Sequence, residues 1–140
     1  MELVMDREDL AAFMVREFPQ AADEMLVESA GPEGVTLRLK VGEQHLRPGG
    51  TVSGPNIFGL ADVAIYLAIL SRIGPEALAV TTSASIDFLR KPDAGRDILA
   101  EARLLKLGRV LAVGDVLVFS SGVREPCARA SFTYSRPPRK

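Results

Sequence analysis

Between Pro55 and Leu70 the chain "PNIFGLADVAIYLAIL" carries a single charged residue, Asp62. A run so apolar reads as a helix without a polar face, and such a helix is buried on every side. A membrane span needs about 20 apolar residues, so this run is short for one. Pro55 suits the first turn, where a missing N–H costs nothing, and Gly74 and Pro75 end the run. A sheet curled around the helix is the economical way to bury it. Asp62 is then a problem, because a carboxylate in apolar surroundings is costly without a partner or a task. Two readings are open: a buried acid paired with an arginine, or a reactive group. Gly59 and Tyr66, three before and four after, share its helical face. A gap at Gly59 with an aromatic wall at Tyr66 suits a reactive group better than packing.

The flanking segments supply the sheet. Asp6 to Phe18 reads as an amphipathic helix capped by Asp6 with Asp9 in a capping-box arrangement; Leu10, Phe13, Met14 and Glu17 share a face, and Pro19 stops it. Strand patterns cover Glu24–Ser29 and Val35–Val41, with "AGPEG" as the turn, before a Gly/Pro-rich loop, "LRPGGTVSGP". After the central helix come Ala79–Leu89, Asp97–Lys106, Arg109–Ser120 and Pro126–Ser135, joined through "RKPDAG", "LG" and "SGVRE". Consecutive strands with short connections predict an antiparallel meander. The expected fold class is α+β, an antiparallel sheet wrapped around a long central helix, in one domain spanning 1–140.

Composition narrows the function classes. The formal net charge is -1, which gives no electrostatic reason to expect nucleic acid as a partner. The terminal "SRPPRK" reads as a frayed tail. The start, "MELVMDRED", has acids where a secretory leader has basic residues, and the lone Cys127 fits a reducing cytoplasm, the expected location. Cys127 reads as a small buried hydrophobe. The only histidine, His45, sits in "GEQHLRPGG" and reads as a surface loop residue. No His, Cys and carboxylate cluster has metal-ligand spacing, and no glycine-rich phosphate loop is present.

Four stretches carry a family likeness: "GTVSGPNIFGLADVAIYLA", "VTTSASIDFLRKPDAG", "LLKLGRVLAVGDV" and "ARASFTYSRPP". In this order and spacing the chain resembles the hotdog-fold acyl-CoA thioesterases of the phenylacetate-pathway type, from about Leu37 to Tyr134. The resemblance implies hydrolysis of an acyl- or aryl-CoA thioester without metal or cofactor. It also implies dimers or tetramers, and the expected assembly is a homodimer assembling into a homotetramer; no membrane partner is expected, because the apolar run is short for a span. The resemblance gives Gly54 as the backbone donor to the thioester carbonyl and Asp62 as nucleophile or as base for water. A helix N-terminus suits a developing oxyanion, and glycine lets substrate approach its backbone. Thr81 falls where the family places a hydroxyl near the catalytic water, with Thr82 beside it. Ser53 stands where the family has histidine, and Arg47 stands in place of a loop asparagine. Asn56 offers a polar contact at the helix start or caps it. Ile57, Phe58 and Tyr66 are the expected pocket wall. Arg90, Lys91, Lys106 and Arg109 are the expected cations for the nucleotide of CoA.

A second reading is a non-catalytic acyl-CoA sensor or carrier, motivated by the missing histidine. A third, a hotdog hydratase or dehydratase, needs a histidine beside the carboxylate, and His45 is the only candidate.

Overall fold

The computed structural model describes residues 3–75 and 79–136. In chain order the elements are α1 (Arg7–Glu17), α2 (Pro19–Ala22), β1 (Met25–Gly31), β2 (Gly34–Leu39), α3 (Gly54–Ile73), β3 (Val80–Phe88), β4 (Ile98–Leu107), β5 (Leu111–Ser120) and β6 (Ala128–Ser135). The last four residues of the "SRPPRK" tail lie outside the described residues.

Local chemistry sets the element ends. The Asp9 N–H donates to Asp6 Oδ1 at 2.9 Å and the Asp6 N–H to Asp9 Oδ2 at 3.1 Å, closing the expected capping box of α1. Pro19 does more than stop that helix: it occupies the first turn of α2, a short helix that the sequence pattern does not announce. The β1–β2 turn is tighter than "AGPEG", since Gly31 pairs with Gly34. Gly74 caps α3 with φ of 91°, a conformation that favours glycine.

The strands form one antiparallel sheet in the order β1-β2-β4-β5-β6-β3. This is the hotdog arrangement, with α3 lying against β2, β4, β5 and β6. The expected meander holds only for β4, β5 and β6. β3 pairs with β6 instead of β4, and β4 pairs with β2. The cause is the "RKPDAG" connection, too long for a tight hairpin. It crosses the end of the sheet, held by Leu89 N–H to Cys127 O at 2.9 Å and Asp93 N–H to Ser120 Oγ at 2.9 Å. β3 is thereby an edge strand with no strand on its outer side among the described residues.

The central helix also departs from expectation. It runs for 20 residues, so length alone does not separate it from a membrane span. Burial against the sheet accounts for its apolar character. Nor is it buried all round. Ile57, Leu60, Ala61, Ala64, Ile65 and Leu67 are in the core, whereas Pro55 is exposed and Phe58, Gly59, Asp62 and Tyr66 are half-buried, forming an open stripe along one side.

Gly114 on β5 sets how close α3 can come. A Cβ there would overlap Ile65 Cδ1 and lie 2.7 Å from the Arg103 carbonyl oxygen. Gly114→Ala should destabilise the fold by ~1–3 kcal/mol, the usual cost of overpacking, seen as a lower denaturant midpoint with unchanged slope. An unchanged midpoint would mean that the helix moves off the sheet at no cost.

Candidate active site

Asp62 projects from the middle of α3 on its open side. Strand register places two hydroxyls against it. Ala128, Ala130, Phe132 and Tyr134 alternate inward along β6, so Tyr134 faces the helix. Thr81 pairs directly with Tyr134 across β3 and β6, and an irregularity between Thr81 and Ser83 aims Thr81 inward as well. Thr81 Oγ1 donates to Asp62 Oδ1 at 2.7 Å. The Tyr134 hydroxyl lies 2.7 Å from the same Oδ1 and 3.0 Å from the Asp62 main-chain carbonyl. Among the described residues Asp62 is thus partnered by hydroxyls and not by arginine, against the arginine-paired reading. Both bonds fall on Oδ1; Oδ2 has no hydrogen-bond partner among the described residues.

Burial, reinforced by its bond to the Asp62 carboxylate, pushes the Tyr134 phenol far up, so it is a proton donor throughout the physiological range. Tyr66 is also pushed up, first by burial and then by the charge of Glu17. Its ring stacks on Tyr134 with centroids 6.1 Å apart, and Phe13 of α1 lies 6.1 Å beyond.

These groups line a cavity of about 400 Å³ with Phe18, Val63, Ala79 and Val80, and Glu17 and Gln20 supply polar groups. Of the expected wall, Tyr66 lies on this cavity. Phe58 packs on Phe132 at 5.6 Å, and Ile57 turns into the core. The Gly59 position opens on free space, with nothing within 4 Å of where a Cβ would stand. A larger concavity, about 1100 Å³, lies on the opposite face of the sheet among Glu101, Arg103, Asp115 and Arg129. None of the groups around Asp62 reaches it.

At the N-terminus of α3, Ser53 and Asn56 are engaged with each other. Ser53 Oγ accepts from Asn56 Nδ2 at 2.7 Å, and Asn56 Nδ2 also approaches the His45 carbonyl at 3.3 Å. Both residues close the helix start. No acceptor among the described residues takes the Gly54 N–H. The Phe88 ring packs beside it, 3.3 Å from where a Cβ would stand. Thr82 points away from the site, its hydroxyl donating to the Thr133 carbonyl at 3.2 Å.

His45 is not a surface residue: it is 2% exposed. Its Nδ1 accepts the Gly42 N–H at 2.8 Å. The ring proton therefore sits on Nε2 and faces Glu24 Oε1 at 3.1 Å. That hydrogen bond, with another from Gln44, holds the Glu24 carboxyl below its ordinary range. The His45 carbonyl accepts the Ser53 N–H at 2.9 Å, which makes the residue a buttress of the α3 start.

The four expected cations do not share one place. Arg90 and Lys91 follow Phe88, at the end of the sheet where Phe88 pairs with Ala128 and Ala128 with Val118. Lys106 and Arg109 lie at the other end, where Leu107 pairs with Ala112 and Leu111 with Ser135. The length of β3 separates the two ends, ~26 Å at the usual rise per residue. The expectation that they lie together fails on strand direction: in an antiparallel sheet β4 runs opposite to β3, so the residues after β3 and those ending β4 stand at opposite ends whichever strand lies beside β3.

A family model described as the thioesterase superfamily matches residues 49–127, which include all of α3, β3, β4 and β5. The human protein acyl-coenzyme A thioesterase 13 is 30% identical over 103 residues, 72% of this chain and 71% of its own length. A crystal structure from Silicibacter sp. TM1040, provisionally described as a thioesterase, is 56% identical with a TM-score of 0.92, covering 99% of this chain and 96% of that one. A mutant of the phenylacetic acid degradation protein PaaI from Thermus thermophilus is 31% identical with a TM-score of 0.73, covering 85% of this chain and 99% of that one. The chain belongs to the thioesterase superfamily.

Proposed function

We propose that this protein hydrolyses acyl-CoA thioesters, with Asp62 as the reacting carboxylate and the Gly54 N–H as the oxyanion donor. The observation that carries this reading is the state of Asp62: one oxygen held by two hydroxyls, the other without a protein partner among the described residues, beside a cavity. Oδ2 either takes a proton from the attacking water or attacks the thioester carbonyl itself. In both routes the carbonyl oxygen gains negative charge, which the N-terminus of α3 accommodates, and the CoA thiolate leaves. The anhydride formed in the second route is then opened by water.

The site is shared between two copies. Gly54 and Asp62 lie eight residues apart on α3, ~12 Å at about 1.5 Å per residue, too far for one carbonyl group to meet both. Two antiparallel helices across a twofold axis bring Gly54 of the partner subunit to Asp62. The open stripe of α3 and the unpaired edge of β3 are the surfaces such a dimer covers. On that edge Val80 is 56% and Phe88 54% exposed. The same symmetry reunites the cations. Phe88 beside Gly54 marks the Arg90 and Lys91 end, while Thr81 beside Asp62 marks the Lys106 and Arg109 end. An antiparallel partner therefore sets one pair near the other, on the path for the CoA phosphates. The homotetramer that the resemblance implies and the cytoplasmic location expected from the lone cysteine stand as part of the same proposal.

The test is release of free thiol from phenylacetyl-CoA and a series of straight-chain acyl-CoAs. Turnover well above the uncatalysed rate for at least one of them is expected. Protein that binds CoA but releases thiol from none would favour the sensor or carrier.

A further inference from the structure

We infer that Tyr134 is a positioning residue for the reaction, orienting Asp62 so that Oδ2 alone faces substrate. This rests on the reading of Asp62 as the reacting carboxylate. A carboxylate on a helix has a broad second side-chain torsion, so neither oxygen is presented by default. Here the plane is fixed from one side. Thr81 and Tyr134 converge on Oδ1, each at 2.7 Å, and the phenol also sits 3.0 Å from the Asp62 main-chain carbonyl. Tyr134 thus ties both the side chain and the helix backbone to β6.

Its placement is over-determined. The ring is buried, stacks on Tyr66 and is fixed by β6 pairing on both sides, to β3 and to β5. Thr81 alone is a weaker clamp, because it holds the carboxylate at one point and does not reach the Asp62 main chain. Removing only the phenolic oxygen leaves the ring, the stacking and the Thr81 bond in place. Oδ1 is still satisfied, so the loss falls on orientation and not on an orphaned buried acceptor.

The experiment is a double-mutant cycle read by thiol release. Tyr134→Phe should lower kcat by ~10-fold to ~100-fold, the weight of one hydrogen bond to a charged group, and leave KM within ~3-fold. The thermal midpoint should be close to that of the parent. In the Asp62→Asn background the same substitution should change the residual turnover by less than ~2-fold, since an amide has no reactive oxygen to orient. Tyr134→Leu, which removes the ring as well, should also raise KM. A Tyr134→Phe enzyme with parental kcat, or one whose loss is equally large without the Asp62 carboxylate, overturns the positioning role while leaving the hydrolase reading intact. A parent protein with no turnover on any thioester overturns the hydrolase reading, and this inference with it.

Discussion

Asp62→Asn should fold and associate like the parent and hydrolyse thioesters ~10²–10⁴-fold more slowly, the range in which a positioned acid or base contributes. The structure explains why the fold should survive. Thr81 and Tyr134 donate to Oδ1, and the amide oxygen of asparagine accepts the same two bonds. The amide nitrogen then takes the place of Oδ2, where no protein group among the described residues depends on an acceptor. The amide neither takes a proton from water nor attacks a carbonyl. Near-parental turnover would make Asp62 a structural acid and place the chemistry elsewhere. The comparison should be made on kcat with the thermal midpoint measured alongside, so that loss of structure is not read as loss of chemistry.

Subunits that are inactive for different reasons should restore each other. Mixed at random 1:1, Asp62→Asn and Gly54→Pro should recover roughly a quarter of parental activity. Half the dimers are then mixed; in each of these one site carries both lesions and the other carries neither. Gly54→Pro is suited to the test because Ser53, with φ of -71° and ψ of 153°, already has the extended backbone that precedes a proline. Gly54 is the first residue of α3, where proline is tolerated, and the substitution removes its N–H; because Pro55 follows and disfavours helical backbone before it, the thermal midpoint of the variant has to be measured alongside. The new ring meets the edge of Phe88, whose side chain has to give way, so dimerisation of the variant has to be shown as well. A site within one subunit predicts no recovery, because every site would carry one lesion. Subunit exchange has to be demonstrated independently, for example by exchange of differently tagged chains.

The sequence made α3 and Asp62 legible for a simple reason. A helix that is apolar nearly all round fixes a core position, and a lone carboxylate in it stands out. The strands were legible as segments, but the partner of β3 was not. Alternation reports which side of a strand faces inward and says nothing of which strand lies beside it. The separation of Arg90 and Lys91 from Lys106 and Arg109 was legible, since consecutive antiparallel strands run in opposite directions whatever their order. His45 looks exposed because its local neighbours are glycine, proline and polar residues. What buries it includes Glu24, distant in the chain, a contact that no local pattern reports. Tyr134 is a different case, because its signal is present. "ARASFTYS" alternates, so Tyr134 faces inward, and a buried phenol needs a hydrogen-bond partner. The carboxylate already singled out on α3 is the natural acceptor to look for.

The thiol of Cys127 offers a clock built into the fold. It is the only cysteine, it is 2% exposed, and burial pushes its thiol up. Its own backbone holds the crossing from β3 to β4 and the end of β6: the Cys127 N–H donates to Val118 O at 2.7 Å, and its carbonyl accepts from Leu89 and Arg90. An aromatic disulfide reagent added to the native protein therefore meets a thiol only when that end of the sheet opens. In the regime where closing outruns labelling, the rate of labelling divided by that of the unfolded chain is the population of the open state. The same silence keeps the enzyme's own sulfur out of any measurement that counts the thiol of released CoA. One side chain thus serves two experiments: without substrate its labelling reports opening of the sheet, and with substrate its burial leaves the released thiol as the signal.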